Sequence, residues 1–521
     1  MADESNLMSP GVLGIPIALL LSFGIWYKSR PVVAYPLPPQ PKSYPIIGNL
    51  FSIPTEDQHI GFLEIGKKLK SSIYCLKAFS ATIVVLNSLE DAVNLLERRS
   101  SIYSDRTPPP MVSRPSLLNW GGFVALLGYN DRWKKSRKLM HPWLNKKAVE
   151  AFYPSQQLQA RLLLQRLLLS SEGIHTSDQV DAELTLATIL ARSIYGYSVE
   201  SVNDPFVQNF RIATDNLAEA SLPSNFLANV FPAMSYIPAW LPGAGWKRTA
   251  QEWRKQQEYA VDTWYYWTKE KILAGEGEHS IIRSLIADAK ELGLEADEID
   301  DYVKQIAITL MIGGTDTSSS SALAFFSVMV RFPEVQARAQ REIDSVTGGD
   351  RLPTMDDRPM LPYVGRLFEE VLRWCPPVPS GLPHGCFQDD SYKEYRIPKG
   401  STVHSIGNIW AINYDAEIYK NPYEFDPDRY IDPNVPVPPT FGFGRRLCPG
   451  IHYAHAALFI MIASVLATFD INPSPNPEAE NFEQKKVKDS AKITIRPSPF
   501  GLKLTPRSAR AQELIKAGAL S

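Results

Sequence analysis

Four long stretches, Ala148–Leu169, Pro205–Ala218, Thr249–Leu273 and Ala296–Val330, repeat apolar residues at the 3.6-residue period of a helix. A chain committed to that much amphipathic helix has to bury its apolar stripes against other helices. Strand-like runs are short and fall elsewhere, at Ala81–Asn87, Tyr395–Val403 and Ile493–Leu504. Ser88, with Asp91 three residues on, marks a capped helix start after the first of them. Strands do not alternate with helices, and none leads into a G-x-G-x-x-G turn. A doubly wound nucleotide-binding sheet is therefore excluded, and neither NADPH nor flavin has a seat. The pattern predicts one large, mainly α domain with a small β-rich lobe, an α+β chain.

Charge narrows the partners. Lys and Arg number 54 against 56 Asp and Glu, a formal net charge of -2, so the basic footprint of a nucleic-acid binder is missing. Four cysteines, Cys75, Cys375, Cys386 and Cys448, form no C-x-x-C pair and have no zinc spacing. The 42 prolines cluster near residues 31–45, 107–115, 376–383 and 422–440, where they mark ordered loops. Gly11–Tyr27 carries no charge over about seventeen residues, the lower limit for a membrane-spanning helix. Asp3 and Glu4 precede it and Lys28 and Arg30 follow it. That order is wrong for a cleaved signal peptide and places the bulk of the chain on the cytosolic side. Pro36–Pro45 then reads as a stiff spacer. The expected organisation is an anchor over 1–30, a Pro-rich hinge over 31–45 and a single domain over 46–521.

The loop FGFGRRLCPG, Phe441–Gly450, sets a cysteine in a tight turn made by Gly444 and Gly450, with Arg445 and Arg446 beside it. Neighbouring cations favour the thiolate, a soft ligand suited to iron. A structural buried cysteine fits the loop's composition equally well. The spacing distinguishes the two: Phe-x-x-Gly-x-Arg-x-Cys-x-Gly matches, at every fixed position, the haem-binding signature of the cytochrome P-450 family. The chain thus resembles a haem-thiolate monooxygenase. The resemblance implies that Cys448 is the axial ligand of haem b, that Arg446 pairs with a haem propionate, and that Phe441 packs against the ligand loop.

Three further segments fit the same family in its order. MIGGTDTSSSS, Met311–Ser321, places Gly313 and Gly314 in a long helix, where they remove bulk, and adds an acid and a hydroxyl, Asp316 and Thr317, to an oily wall. The resemblance makes this the oxygen-binding segment, with Asp316 and Thr317 managing protons. Glu370 and Arg373 sit at i and i+3 of a helix that Pro376 and Pro377 end, and taken alone they are a surface ion pair for which Glu369 competes. With Arg429 of FDPDRY they resemble the family's structural clamp. Trp133 and Arg137, at i and i+4, face one site, and a solvated basic helix is the plainer reading. By resemblance they bind haem propionates, as does His384.

Lys134, Lys135, Lys138 and Arg445 offer a docking face to an acidic redox partner. With 73 residues after Cys448, the chain is expected to take electrons from a separate NADPH-dependent cytochrome P-450 reductase. The expected substrate is an apolar small molecule, a terpenoid or other secondary-metabolite precursor, hydroxylated with O2. Its presumed walls are Thr107–Phe123, Ser221–Gly243 and Pro376–Pro383. Two other readings remain, a haem sensor and a haem-thiolate isomerase or dehydratase. Asp316 and Thr317 speak against the first, and the intact oxygen-binding pattern against the second. The expected location is the endoplasmic reticulum membrane, single-pass, with a cytosolic catalytic domain.

Overall fold

A computed structural model describes residues 35–79, 81–169, 174–176, 182–201, 203–222, 225–276, 280–404, 408–474, 494–498 and 500–518. The predicted anchor, Gly11–Tyr27, lies outside them, as does Ile493.

The principal helices are α1 (Gln58–Leu69), α2 (Asp131–Leu144), α3 (Tyr153–Leu169), α4 (Ala182–Tyr195), α5 (Pro205–Ser221) and α6 (Gly245–Leu273). Then come α7 (Ile281–Glu291), α8 (Ala296–Arg331), α9 (Pro333–Thr347), α10 (Pro362–Trp374), α11 (Ile451–Thr468) and α12 (Ala509–Ala517). The segment from Ala148 begins as a 3-10 turn, Ala148–Phe152, and becomes α3 only at Tyr153. Local chemistry sets several ends: the Asn130 side chain accepts from Trp133 N–H ahead of α2, and α9 and α10 each start on a proline.

α8 runs through the centre and packs on α4, α6, α7, α10 and α11. Most of its residues are buried, so its long apolar run reflects contact on several sides. Among the described residues α11 alone has the length and apolarity of a membrane span, and it is a core helix.

The β-rich lobe is a four-stranded sheet of β1 (Ile73–Ala78), β2 (Ala81–Leu86), β4 (His384–Gly385) and β7 (Thr402–His404), in the order β1-β2-β7-β4. β7 lies parallel to β2 and antiparallel to β4, with His384 opposite Val403. A bridge between Asp105 and Gly385 ties this edge to the chain ahead of α2. β5 (Asp390–Tyr392) and β6 (Tyr395–Ile397) make a hairpin, so the predicted strand over Tyr395–Val403 is two strands in different sheets. β3 (Ile174–Thr176), β9 (Gly501–Pro506) and β8 (Phe469–Pro473) form the last sheet. The strand predicted from Ile493 begins at Gly501, because residues 494–496 are spent on contacts with α8 and Pro377 instead of a ladder.

Candidate active site

The cysteine loop is shaped by two left-handed glycines, Gly442 at φ 82° and Gly444 at φ 53°. A Cβ on Gly444 would overlap the Leu96 carbonyl, so glycine alone fits there. Cys448 N–H donates to the Phe441 carbonyl at 2.9 Å and closes the turn ahead of α11. The Phe441 ring rests on His455 of α11, with centroids 5.1 Å apart.

The charges beside Cys448 differ from the sequence expectation. Arg446 turns away, donating from Nε to Ser104 and from Nη2 to Leu127, both carbonyls, at 2.7 Å. Arg445 donates outward to the Tyr129 hydroxyl. Arg137 is the cation that acts on the sulfur, and its Nη2 donates to Leu447 O at 3.0 Å. Burial pushes the Cys448 thiol above its ordinary range, and the Gly450 N–H and Arg137 only partly offset it. Cationic neighbours therefore do not make this cysteine a thiolate. A bound metal ion would.

The pair of Glu370 and Arg373 is likewise not at the surface. Both are 0% exposed. Arg373 donates from Nε and Nη2 to the two Glu370 oxygens at 2.8 Å, and Arg429 Nε reaches both at 3.0 Å. The remaining guanidinium donors go to the carbonyls of Asn413, Pro422, Glu424 and Lys420. Glu369 takes no part. Removing one partner from so enclosed a set costs about 3–5 kcal/mol, because the others stay buried and charged.

A cationic cluster joins α2, β4 and the segment ahead of α2. Trp133 and Arg137 come together on α2 as the spacing requires, and Arg446 stacks over the Trp133 ring at 4.3 Å. His384, on β4, is buried and donates from Nδ1 to the Tyr103 carbonyl, leaving Nε2 available. Arg106, which the sequence reading passed over, is buried beside them and holds the Leu382 and Pro383 carbonyls. Burial and mutual repulsion lower the pKa of Arg106 well below its usual value, bring Arg446 to about 10, and keep His384 neutral. One carboxylate, Asp105, acts on both Arg106 and Arg446. Arg106 Nε and Arg446 Nη1 are buried without partners. An excess of buried cations with unused N–H groups fits an anion with two carboxylates, which is what haem propionates present.

On α8 the glycines divide their work. Gly313 is exposed in the middle of a buried helix, and a Cβ there would meet nothing within 4 Å. Gly314 faces α4, where a Cβ would come within 2.7 Å of Leu190 Cδ1, so its role is close helix packing. Thr317 Oγ1 donates to the Gly313 carbonyl at 2.7 Å. Asp316 is not a free acid: Oδ1 accepts from Arg496 Nη2 at 3.0 Å and Oδ2 from the Thr494 hydroxyl. Arg496 also donates to Glu183 of α4 at 3.1 Å.

The cytochrome P450 family model matches residues 38–504. The chain is 35% identical over 515 residues to cytochrome P450 monooxygenase 208 of Postia placenta, covering 97% of each chain. It is 36% identical over 488 residues to cytochrome P450 monooxygenase claR of Ampulloclitocybe clavipes, covering 92% of this chain and 88% of that one. It is 32% identical over 522 residues to tryptamine 4-monooxygenase of Psilocybe cyanescens, covering 96% and 98%. The match spans the cysteine loop, the clamp, the cationic cluster and α8 alike, and the chain belongs to the cytochrome P450 family.

Proposed function

We propose that this monooxygenase holds haem b between α8 and the cysteine loop and hydroxylates an apolar small molecule. The observation that carries the reading is Cys448 in its glycine-shaped turn together with the unpartnered Arg106 Nε and Arg446 Nη1 at the cluster. Haem on a cysteine thiolate supplies O2 activation and oxygen-atom insertion when bound. The protein's own part is positional. Glu370, Arg373 and Arg429 fix the segment that presents the loop, Arg106, Arg137, Arg446, Trp133 and His384 would hold the propionates, and Gly313 leaves an opening on α8. Thr317 holds a proton at Oγ1 next to that opening, while Asp316 orients this turn of α8 through Arg496 and Thr494.

The apolar, charge-poor runs Thr107–Phe123 and Pro376–Pro383 favour an apolar substrate, a terpenoid or related secondary-metabolite precursor. Electrons come from an NADPH-dependent reductase, with exposed Lys135, Lys138 and Arg445 on the face it approaches. The apolar run Gly11–Tyr27 anchors the chain in the endoplasmic reticulum membrane with the catalytic domain cytosolic.

Replacing Cys448 by Ala or His tests the core of this reading. Both variants should lose the thiolate-type absorption of the reduced, carbon-monoxide-bound protein, together with oxygen insertion. Retention of that band would move the ligand elsewhere.

A further inference from the structure

α10 carries two adjacent glutamates, and the clamp uses only Glu370. Glu369 faces α11, where its Oε1 lies 3.6 Å from His455 Nδ1. That distance is beyond a formed hydrogen bond but leaves the two groups as direct neighbours. The His455 ring is wedged between two phenylalanines. Phe368 meets it edge-on at 5.1 Å and 89°, and Phe441 lies tilted at 5.1 Å and 36°. Phe441 is the residue whose carbonyl receives the Cys448 amide. One side chain thus joins the pair to the ligand loop.

We propose that Glu369 and His455 form a proton-holding pair beneath the cysteine loop, a positioning device whose protonation state reaches Cys448 through Phe441. The inference rests on the haem-thiolate reading above.

Burial pushes the Glu369 carboxyl up to about 7, with Arg358 pulling the other way. Burial, then Arg358 and His452, push the His455 imidazole down to about 4. At neutral pH the imidazole is therefore uncharged, and the proton that titrates sits on Glu369. A protonated Glu369 donates its O–H to an unprotonated Nδ1. Once Glu369 ionises, its proton leaves to solvent, and only the imidazole tautomer with hydrogen on Nδ1 faces the carboxylate without repulsion, so the ring proton moves from Nε2 to Nδ1. Among the described residues, the other groups acting on the pair are Arg358, His452, Tyr419 and Tyr430, and Lys146 acts on His452 in turn. The Tyr430 hydroxyl is buried without a partner. Rising pH adds one negative charge on the loop side of α10, which favours the oxidised iron.

The test uses the full-length holoprotein, with the ferric/ferrous potential measured from pH 6 to 8 and the reduced carbon-monoxide spectrum recorded alongside. The wild type should shift to lower potential through a step centred near pH 7. Glu369→Gln should abolish the step, and His455→Phe, which keeps the ring stack, should move its midpoint by about half a pH unit or more. A step that survives in Glu369→Gln overturns the proposal, as does a wild-type curve without a step in protein that shows the thiolate-type band. If Glu369→Gln fails to take up haem, His455→Phe decides, and a curve identical to wild type overturns the pair. Absence of the thiolate-type band in the wild type instead overturns the haem-thiolate reading itself.

Discussion

Asp316 and Thr317 are neighbours in sequence with different commitments in the fold. Both carboxylate oxygens of Asp316 are taken, one by Arg496 and one by Thr494, so Asp316 cannot pass a proton while those bonds hold. Thr317 uses its hydroxyl hydrogen on the Gly313 carbonyl and keeps its lone pairs at the opening that Gly313 leaves. Thr317→Ala should therefore leave haem content and substrate binding nearly unchanged while product per NADPH falls, roughly tenfold, with reductase supplied. Asp316→Asn keeps the shape and a polar contact to Thr494 but loses the charge opposite Arg496, so it should slow turnover more than it lowers product per NADPH. Stoichiometry of NADPH against product for the two variants checks both, and wild-type coupling in Thr317→Ala would make this turn of α8 a packing feature.

At the scale of elements, α8 carries two glycines that sequence reading treats alike and packing separates. Gly314 lets α4 approach, and a methyl group there meets Leu190 at 2.7 Å. Gly314→Ala should cost about 1–3 kcal/mol in thermal or denaturant unfolding through overpacking, and Leu190→Ala in the same chain should recover part of that loss. Gly313→Ala meets open space, so unfolding should show a gain of up to about 1 kcal/mol from helix propensity, while O2-dependent turnover falls because the methyl enters the opening. The helices themselves were legible because apolar period survives in one chain, and so was the spacing of Trp133 with Arg137. The burial of Glu370 and Arg373 was not, since an i, i+3 ion pair looks the same on a surface until Arg429 and the carbonyls of Asn413 and Pro422 close over it. Arg106 gave no periodic signal at all. It reaches the cluster only because the Asp105–Gly385 bridge brings residues 105 and 385 together, a pairing no local pattern reveals.

For the whole molecule, outward-facing large apolar residues are a second surface feature besides the basic face. Ile46 is 87% exposed, Phe51 79%, Tyr236 76% and Trp240 78%. Much of the 221–243 segment expected to wall the substrate therefore faces outward. Phe79 and Phe231 touch at 4.8 Å, joining the early lobe to this segment. Lys247 donates to the Ser235 and Ile237 carbonyls at 2.9 Å, and Arg248 donates to Ala239 at 2.8 Å, so the loop is held in place from below. Exposed Trp and Tyr over basic residues suit the headgroup region of a bilayer. If residues 1–30 are the anchor and this patch is a secondary contact, a chain starting at residue 31 should leave the membrane pellet at moderate salt and keep its haem spectrum. It should still sediment weakly with phospholipid vesicles, because a few interfacial aromatics contribute only marginal, reversible binding. Replacing Ile46 and Trp240 together by Asp in that chain should abolish the residual sedimentation without changing haem content, since both side chains lie outside the core. A truncated chain that pellets as firmly as the full one, with or without the double substitution, would place the membrane attachment in another part of the molecule.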